Sequence, residues 1–242
     1  MNATSSGSAA KFDASRAGEY AQQCRIALAG YDACHELAAC MLAAALGSGG
    51  RAEILVAGAG GTAQEIITAG ALEPLWRFTA VDPSPPMLEL AMRAVRDAGL
   101  EARTEAVPGT VQSLPPQARF DAATLIGVLH HLPGDSAKLE LLRAIAARLE
   151  PGAPLILACN HYAYAAQPLL LAAWGGRWRM QGAPADVVAA KLGRIVEGAD
   201  PPHSEQAVLD LLAEAGFEQP LRFFSSLFWG AWMLRRSGDK LF

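Results

Sequence analysis

Gly58-Ala59-Gly60-Gly61-Thr62-Ala63 follows the apolar run Ile54-Leu55-Val56-Ala57 and precedes a segment with helical spacing. Glycines at such a strand-to-helix turn let the backbone come within contact distance of a ligand, where any Cβ would collide. Asp82 closes a second apolar run ~20 residues further on, where a carboxylate can accept hydrogen bonds from a ribose diol. Together they suit a nucleoside-bearing cofactor. The loop also satisfies the GxGxxA form of the dinucleotide fingerprint, so an NAD(P)-dependent oxidoreductase stands as an alternative.

Proton transfer needs a titratable group near the same edge of the sheet, and histidine is the natural one. His130 and His131 follow the fourth strand, and His161 follows the fifth. His131 and His161 are the candidate catalytic bases; the alternative for each is a packed or solvent-facing histidine. Tyr20, Arg25 and Tyr31 precede the first strand. One of them, with Tyr20 first, is the candidate to meet a cofactor carboxylate or the substrate, since tyrosine and arginine donate well to carboxylates; the alternative is surface or core packing. Trp174, Trp178 and Met180 read either as a cap over an apolar or cationic substrate or as plain helix packing or a dimer contact. Cys24, Cys34, Cys40 and Cys159 form no CxxC and no metal-ligand pattern, so they read as reduced, small apolar residues with no metal site implied.

The elements that must position these residues alternate. Asp13 can cap a helix running to about Ala29, which Gly30 breaks, and a second helix runs from Asp32 to Leu46. Strands are expected at 54–57, Arg77 to Val81, Ala102 to Val107, Phe120 to Ile126 and Pro154 to Ala158. Helices are expected at Thr62 to Ala69, Pro86 to Ala98 and Ser136 to Leu149. That alternation means a mostly parallel sheet with helices on both faces. A helix from Glu205 to Ala215 follows, then two strand-like runs, Phe217 to Ser225 and Leu227 to Leu234. Their Ser225-Ser226 junction predicts an antiparallel pair at the sheet's edge.

In this order the motifs resemble the class I S-adenosylmethionine-dependent methyltransferases. The match rests on the glycine loop, Asp82, Ile126-Gly127-Val128-Leu129-His130-His131-Leu132 after strand four, Leu149-Glu150-Pro151-Gly152 before strand five, and the terminal hairpin. It runs from about Tyr20 to Arg236. The resemblance implies a Rossmann-like, seven-stranded, mostly parallel sheet with an antiparallel C-terminal hairpin and an N-terminal helical lid. It implies S-adenosylmethionine as cofactor, with S-adenosylhomocysteine as its product. Gly58, Ala59 and Gly60 would lie against the methionine part, and Asp82 would hold the ribose. Pro83 and Met87 would lie beside the adenine, bordered by Gly109, Thr110 and Val111; Ile126 and Gly127 would border the methionine amino group. Val56 departs from the family, which often has an acid at that position.

Composition bounds the rest. Of 242 residues 52% are hydrophobic and 18% charged, a balance that supports one large folded domain. Residues 1–12 read as a disordered lead-in and 13–242 as a single domain: a lid over 13–50, a cofactor-binding core over 51–159, a cap over 160–203, and a final helix and hairpin over 204–242. No run approaches the ~20 apolar residues of a membrane span, and no signal peptide is visible, so a cytoplasmic location is expected. The net charge of −4, with basic residues scattered, argues against a phosphate-clamping surface. The expected activity is methyl transfer to an O, N or S atom of a small molecule, with secondary metabolism as one setting, by a monomer or homodimer. A tRNA-modifying methyltransferase and a non-catalytic cofactor- or partner-binding relative are the alternatives.

Overall fold

The computed structural model describes residues 14–238, with side chains from Tyr20 onward. The expected lead-in and the Asp13 cap lie outside the described residues. Strands β1 (Glu53–Ala57), β2 (Arg77–Asp82), β3 (Thr104–Pro108), β4 (Ala122–Ile126), β5 (Pro154–Asn160), β6 (Phe217–Ser226) and β7 (Trp229–Arg236) form one sheet in the order β3-β2-β1-β4-β5-β7-β6. The first five are parallel, and β7 runs antiparallel between β5 and β6. The hairpin therefore inserts its second strand into the sheet and leaves β6 at the edge.

Strands buried on both faces read as continuous apolar runs, and alternate side chains divide between two layers. Leu55, Ala57, Leu155, Leu157 and Cys159 join one core with α5 (Gly134–Ala146) and α8 (Glu205–Glu214). Ile54, Val56 and Ile156 join the other with α2 (Tyr31–Leu46), α3 (Gln64–Leu72) and α4 (Pro85–Asp97). A third cluster, Ile26, Tyr164, Trp174, Trp178, Val188 and Phe228, ties α1 (Ala14–Ala27) to α6 (Pro168–Met180) and α7 (Ala185–Gly198).

Several boundaries differ from expectation for local reasons. Strand β3 starts at Thr104 because Glu101–Arg103 make a 3-10 turn. The Arg103 guanidinium pins that turn by donating to the Gly70, Glu73 and Trp76 carbonyls. Helix α5 ends at Ala146 rather than Leu149, because Phe120 N takes the Arg148 carbonyl and Leu149 bridges Phe120. Helix α3 starts two residues late, after a left-handed Ala63 (φ 48°). The hairpin turns at Leu227-Phe228, with Leu227 left-handed (φ 51°), rather than at Ser225-Ser226.

Candidate active site

The carboxyl ends of β1 to β5 share one edge, and the chain order reverses between β1 and β4. In open α/β sheets that switch point is where ligands collect. Here the loops after β1 and β4 touch: a Cβ on Gly58 (φ 75°) would overlap the Val128 side chain. Gly60 is crowded as well, since its Cβ would lie 2.5 Å from Asp82 Oδ2 and 2.9 Å from Met87 Cβ.

The loop is stitched to β2. Gly58 N and Ala59 N donate to the Val81 carbonyl at 2.8 and 3.2 Å, and Gly61 N donates to the Met87 carbonyl at 2.9 Å. Asp82 Oδ2 accepts from Gly60 N at 2.9 Å and Oδ1 from Ser84 N at 2.8 Å. Burial raises the Asp82 pKa, and those two backbone N–H groups oppose the rise. The carboxylate thus fixes the glycine loop, a job that the sequence did not reveal, and still has lone pairs for further donors.

Around this centre, Met87 and Val111 are buried and Gly109 is half-buried, while Pro83 and Thr110 are exposed. Gly109 N donates to the Asp82 carbonyl at 2.9 Å, and Gly127 N (φ 80°) to the Ala158 carbonyl at 2.8 Å. Ile126 and Gly127 are half-buried beside them.

Helix α1 covers the loop. A Cβ on Gly61 would overlap the Tyr20 ring, which also places Tyr20 beside Met87 at the same glycine. Tyr31 shares a 2.6 Å hydrogen bond with Thr62, and Arg25 reaches Asp32 at 2.8 Å and Gln64 at 3.3 Å. Burial pushes the Tyr20 and Tyr31 hydroxyls above their ordinary pKa, so both stay protonated donors. Beneath them lies a pair that sequence reasoning missed: His35 Nε2 and Glu65 Oε2, 3.6 Å apart and both buried. His35 Nδ1 lies 2.9 Å from the Tyr31 carbonyl, which only a protonated Nδ1 can satisfy. Burial raises the Glu65 pKa, opposed by His35. A histidine in the alanine-rich Ala33–Ala45 stretch was the available signal.

The histidines separate. His131 is half-buried on the turn after β4. Buried His130 stands edge-on to Trp229, ring centroids 5.0 Å apart, with its Nδ1 3.4 Å from Asn160 N. His161 is 0% exposed, 5.2 Å from Trp232, and its pKa is held down at about 4, by burial first and then by Arg222. That placement corrects the expectation of a substrate-facing base: the ring is neutral packing. Trp174 and Trp178 are buried against α1 and Met180 is 76% exposed, so the two indoles pack helices together.

This sheet order, with one antiparallel strand next to the last, is the class I, Rossmann-like methyltransferase fold. Residues 55–155 match the family model described as a methyltransferase domain. No curated protein matches the chain. Among solved structures, the chain is similar to an O-methyltransferase family 2 protein from Planctomyces limnophilus in complex with apigenin. That likeness has 16% identity and a TM-score of 0.57, over 76% of this chain and 50% of that one. An O-methyltransferase from neocarzinostatin biosynthesis, in complex with S-adenosylmethionine and 2-hydroxy-5-methyl naphthoic acid, gives 17% and 0.63, over 92% and 57%. Mitomycin 7-O-methyltransferase gives 21% and 0.60, over 85% and 54%. The chain spans between half and three-fifths of the length of these structures, and at such identities the likeness is one of fold. The chain thus has the class I, Rossmann-like methyltransferase fold, and residues 55–155 of it match a methyltransferase-domain model.

Proposed function

We propose that the chain binds S-adenosylmethionine where β1, β2 and β4 end, and transfers its methyl group to an O, N or S atom of a small molecule. The observation that carries this reading is the glycine loop closed on Asp82: Gly60 N donates to Asp82 Oδ2 at 2.9 Å, and a Cβ on Gly60 would strike that carboxylate oxygen at 2.5 Å and Met87 Cβ at 2.9 Å. Bound there, the cofactor supplies an electrophilic methyl on a sulfonium centre. The loop backbone at Gly58, Ala59 and Gly60 takes the methionine part, and Asp82 accepts from the ribose hydroxyls with its remaining lone pairs. Pro83, Met87, Gly109, Thr110 and Val111 border the adenine, Ile126 and Gly127 the amino group, and Tyr20 donates to the carboxylate.

Displacement at a sulfonium carbon needs alignment and a dry pocket more than it needs charged catalysts. Helices α1 and α6 supply the cover. His131, half-buried on the turn after β4, would take the proton from an acceptor that must lose one. An all-parallel dinucleotide sheet would have its sixth strand parallel to the rest; the antiparallel β7 favours the methyltransferase reading over NAD(P) chemistry. The net charge of −4 favours a small molecule over tRNA, and the free cysteines suit the cytoplasm.

Calorimetric titration tests the reading. S-adenosylhomocysteine should bind saturably near one per chain, NAD and NADP should not, and Gly60→Val should abolish binding while the protein still melts cooperatively. Binding of NAD in place of S-adenosylhomocysteine would overturn it.

A further inference from the structure

At the carboxyl end of β5 the register pairs Asn160 with Trp229 of β7. Directly opposed residues point to the same face of a sheet, with Cβ atoms roughly 5 Å apart. Asn160 is 2% exposed and Trp229 8%. Asn160 Nδ2 donates to the Tyr164 hydroxyl at 2.7 Å. Its Oδ1 is buried without a hydrogen-bond partner, and so is Trp229 Nε1. Buried polar groups in folded proteins nearly always have partners. Here a lone acceptor and a lone donor lie on neighbouring side chains, at the edge where the strands end.

Their surroundings are mostly apolar, with His130 as a polar neighbour that stands edge-on to Trp229 at 5.0 Å and accepts from Asn160 N at 3.4 Å. Trp229 packs among Leu28, Tyr31 and Ala158, with Ile126, Phe223 and Phe224 alongside. They also adjoin the cofactor position proposed above, because a Cβ on Gly127 would lie 3.7 Å from Trp229 Cη2. A hydroxyl satisfies both atoms at once, its oxygen accepting from Nε1–H and its proton going to Oδ1. An ether or carbonyl oxygen cannot donate, and an ammonium cannot accept.

We propose that Asn160 and Trp229 form a two-point clamp for a hydroxyl on an apolar acceptor molecule. The assignment of that molecule as a methyl acceptor rests on the methyltransferase reading; the clamp itself rests on the orphaned pair.

The test follows the indole N–H resonance of Trp229 in 15N-tryptophan-labelled protein, identified by its loss in Trp229→Phe. The full chain is titrated with 2-naphthol and with 2-methoxynaphthalene, with and without S-adenosylhomocysteine. The naphthol is expected to shift that resonance saturably, and the ether to bind at least about tenfold more weakly. Asn160→Leu and Trp229→Phe are each expected to lose a similar factor for the naphthol while keeping their affinity for S-adenosylhomocysteine. An unmoved Trp229 resonance, as an internal water bridging the pair would give, overturns the clamp. Equal binding of the ether, or unchanged naphthol affinity in both variants, overturns it too. Failure of S-adenosylhomocysteine alone, with the naphthol still shifting Trp229, removes the methyltransferase reading and leaves the clamp standing.

Discussion

A single histidine shows how burial decides a role. His161 has a folded pKa of about 4 against an ordinary value of 6.5. Between those values the unfolded chain takes up a proton that the folded chain refuses. Stability from this group is therefore complete above pH 6.5 and falls as pH drops toward 4. His161→Phe keeps the ring contact with Trp232 and removes that dependence. The loss of stability on going from pH 7 to 4.5 should be smaller in the variant by about 1–2 kcal/mol, allowing for solvent screening. Urea unfolding of both proteins at the two pH values measures it. Equal losses would mean that His161 protonates freely and is not sealed. At Asp82 the same burial has another outcome: two backbone N–H groups hold the carboxylate in place, so a buried acid becomes a loop clasp.

Between elements, the His35–Glu65 pair joins α2 to the first turn of α3, directly behind the glycine loop. Removing one member leaves the other buried without its partner, whereas removing both leaves an apolar contact. His35→Leu and Glu65→Leu should each cost about 2–4 kcal/mol, and the double variant less than the sum by about 1–3 kcal/mol. Denaturant unfolding of the four proteins gives the coupling, and additive costs would show that the two groups do not interact. This pair also marks how far the sequence could be read. The glycine loop, Asp82 and the parallel strands were legible because each is a local pattern: a turn, an acid closing an apolar run, a run buried on both faces. His35 and Glu65 are thirty residues apart, and only the packing of α2 on α3 joins them. His161 was misread because β5 runs two residues beyond Ala158, and which face the next residue takes depends on the β7 register. The unpaired atoms of Asn160 and Trp229 depend on that same register, so no local pattern announced them.

Over the whole molecule, the sheet edge lies beneath stacked helices. Tyr20 of α1 seats on Gly61, while α6 clasps α1 from outside. Trp174 Nε1 donates to the Ala27 carbonyl at 2.6 Å, and Arg177 Nη2 to the Arg25 carbonyl at 2.9 Å. Beneath Tyr20 and the glycine loop, Met87 is 3% exposed and Asp82 9%. If a nucleoside reaches Met87 by lifting Tyr20 and α1 off the loop, association should scale with the fraction of lifted molecules. S-adenosylhomocysteine should then bind the wild-type protein more slowly than about 10⁵ M⁻¹s⁻¹, the lower end for unhindered docking. Trp174→Phe keeps the packing and removes one hydrogen bond, worth about 1 kcal/mol to the closed state. The lifted fraction should rise roughly fivefold, and association and dissociation should accelerate together with little change in Kd. Stopped-flow tryptophan fluorescence across a concentration series reads both rates. Unchanged rates would mean that the cofactor reaches Asp82 by a path that does not pass under α1.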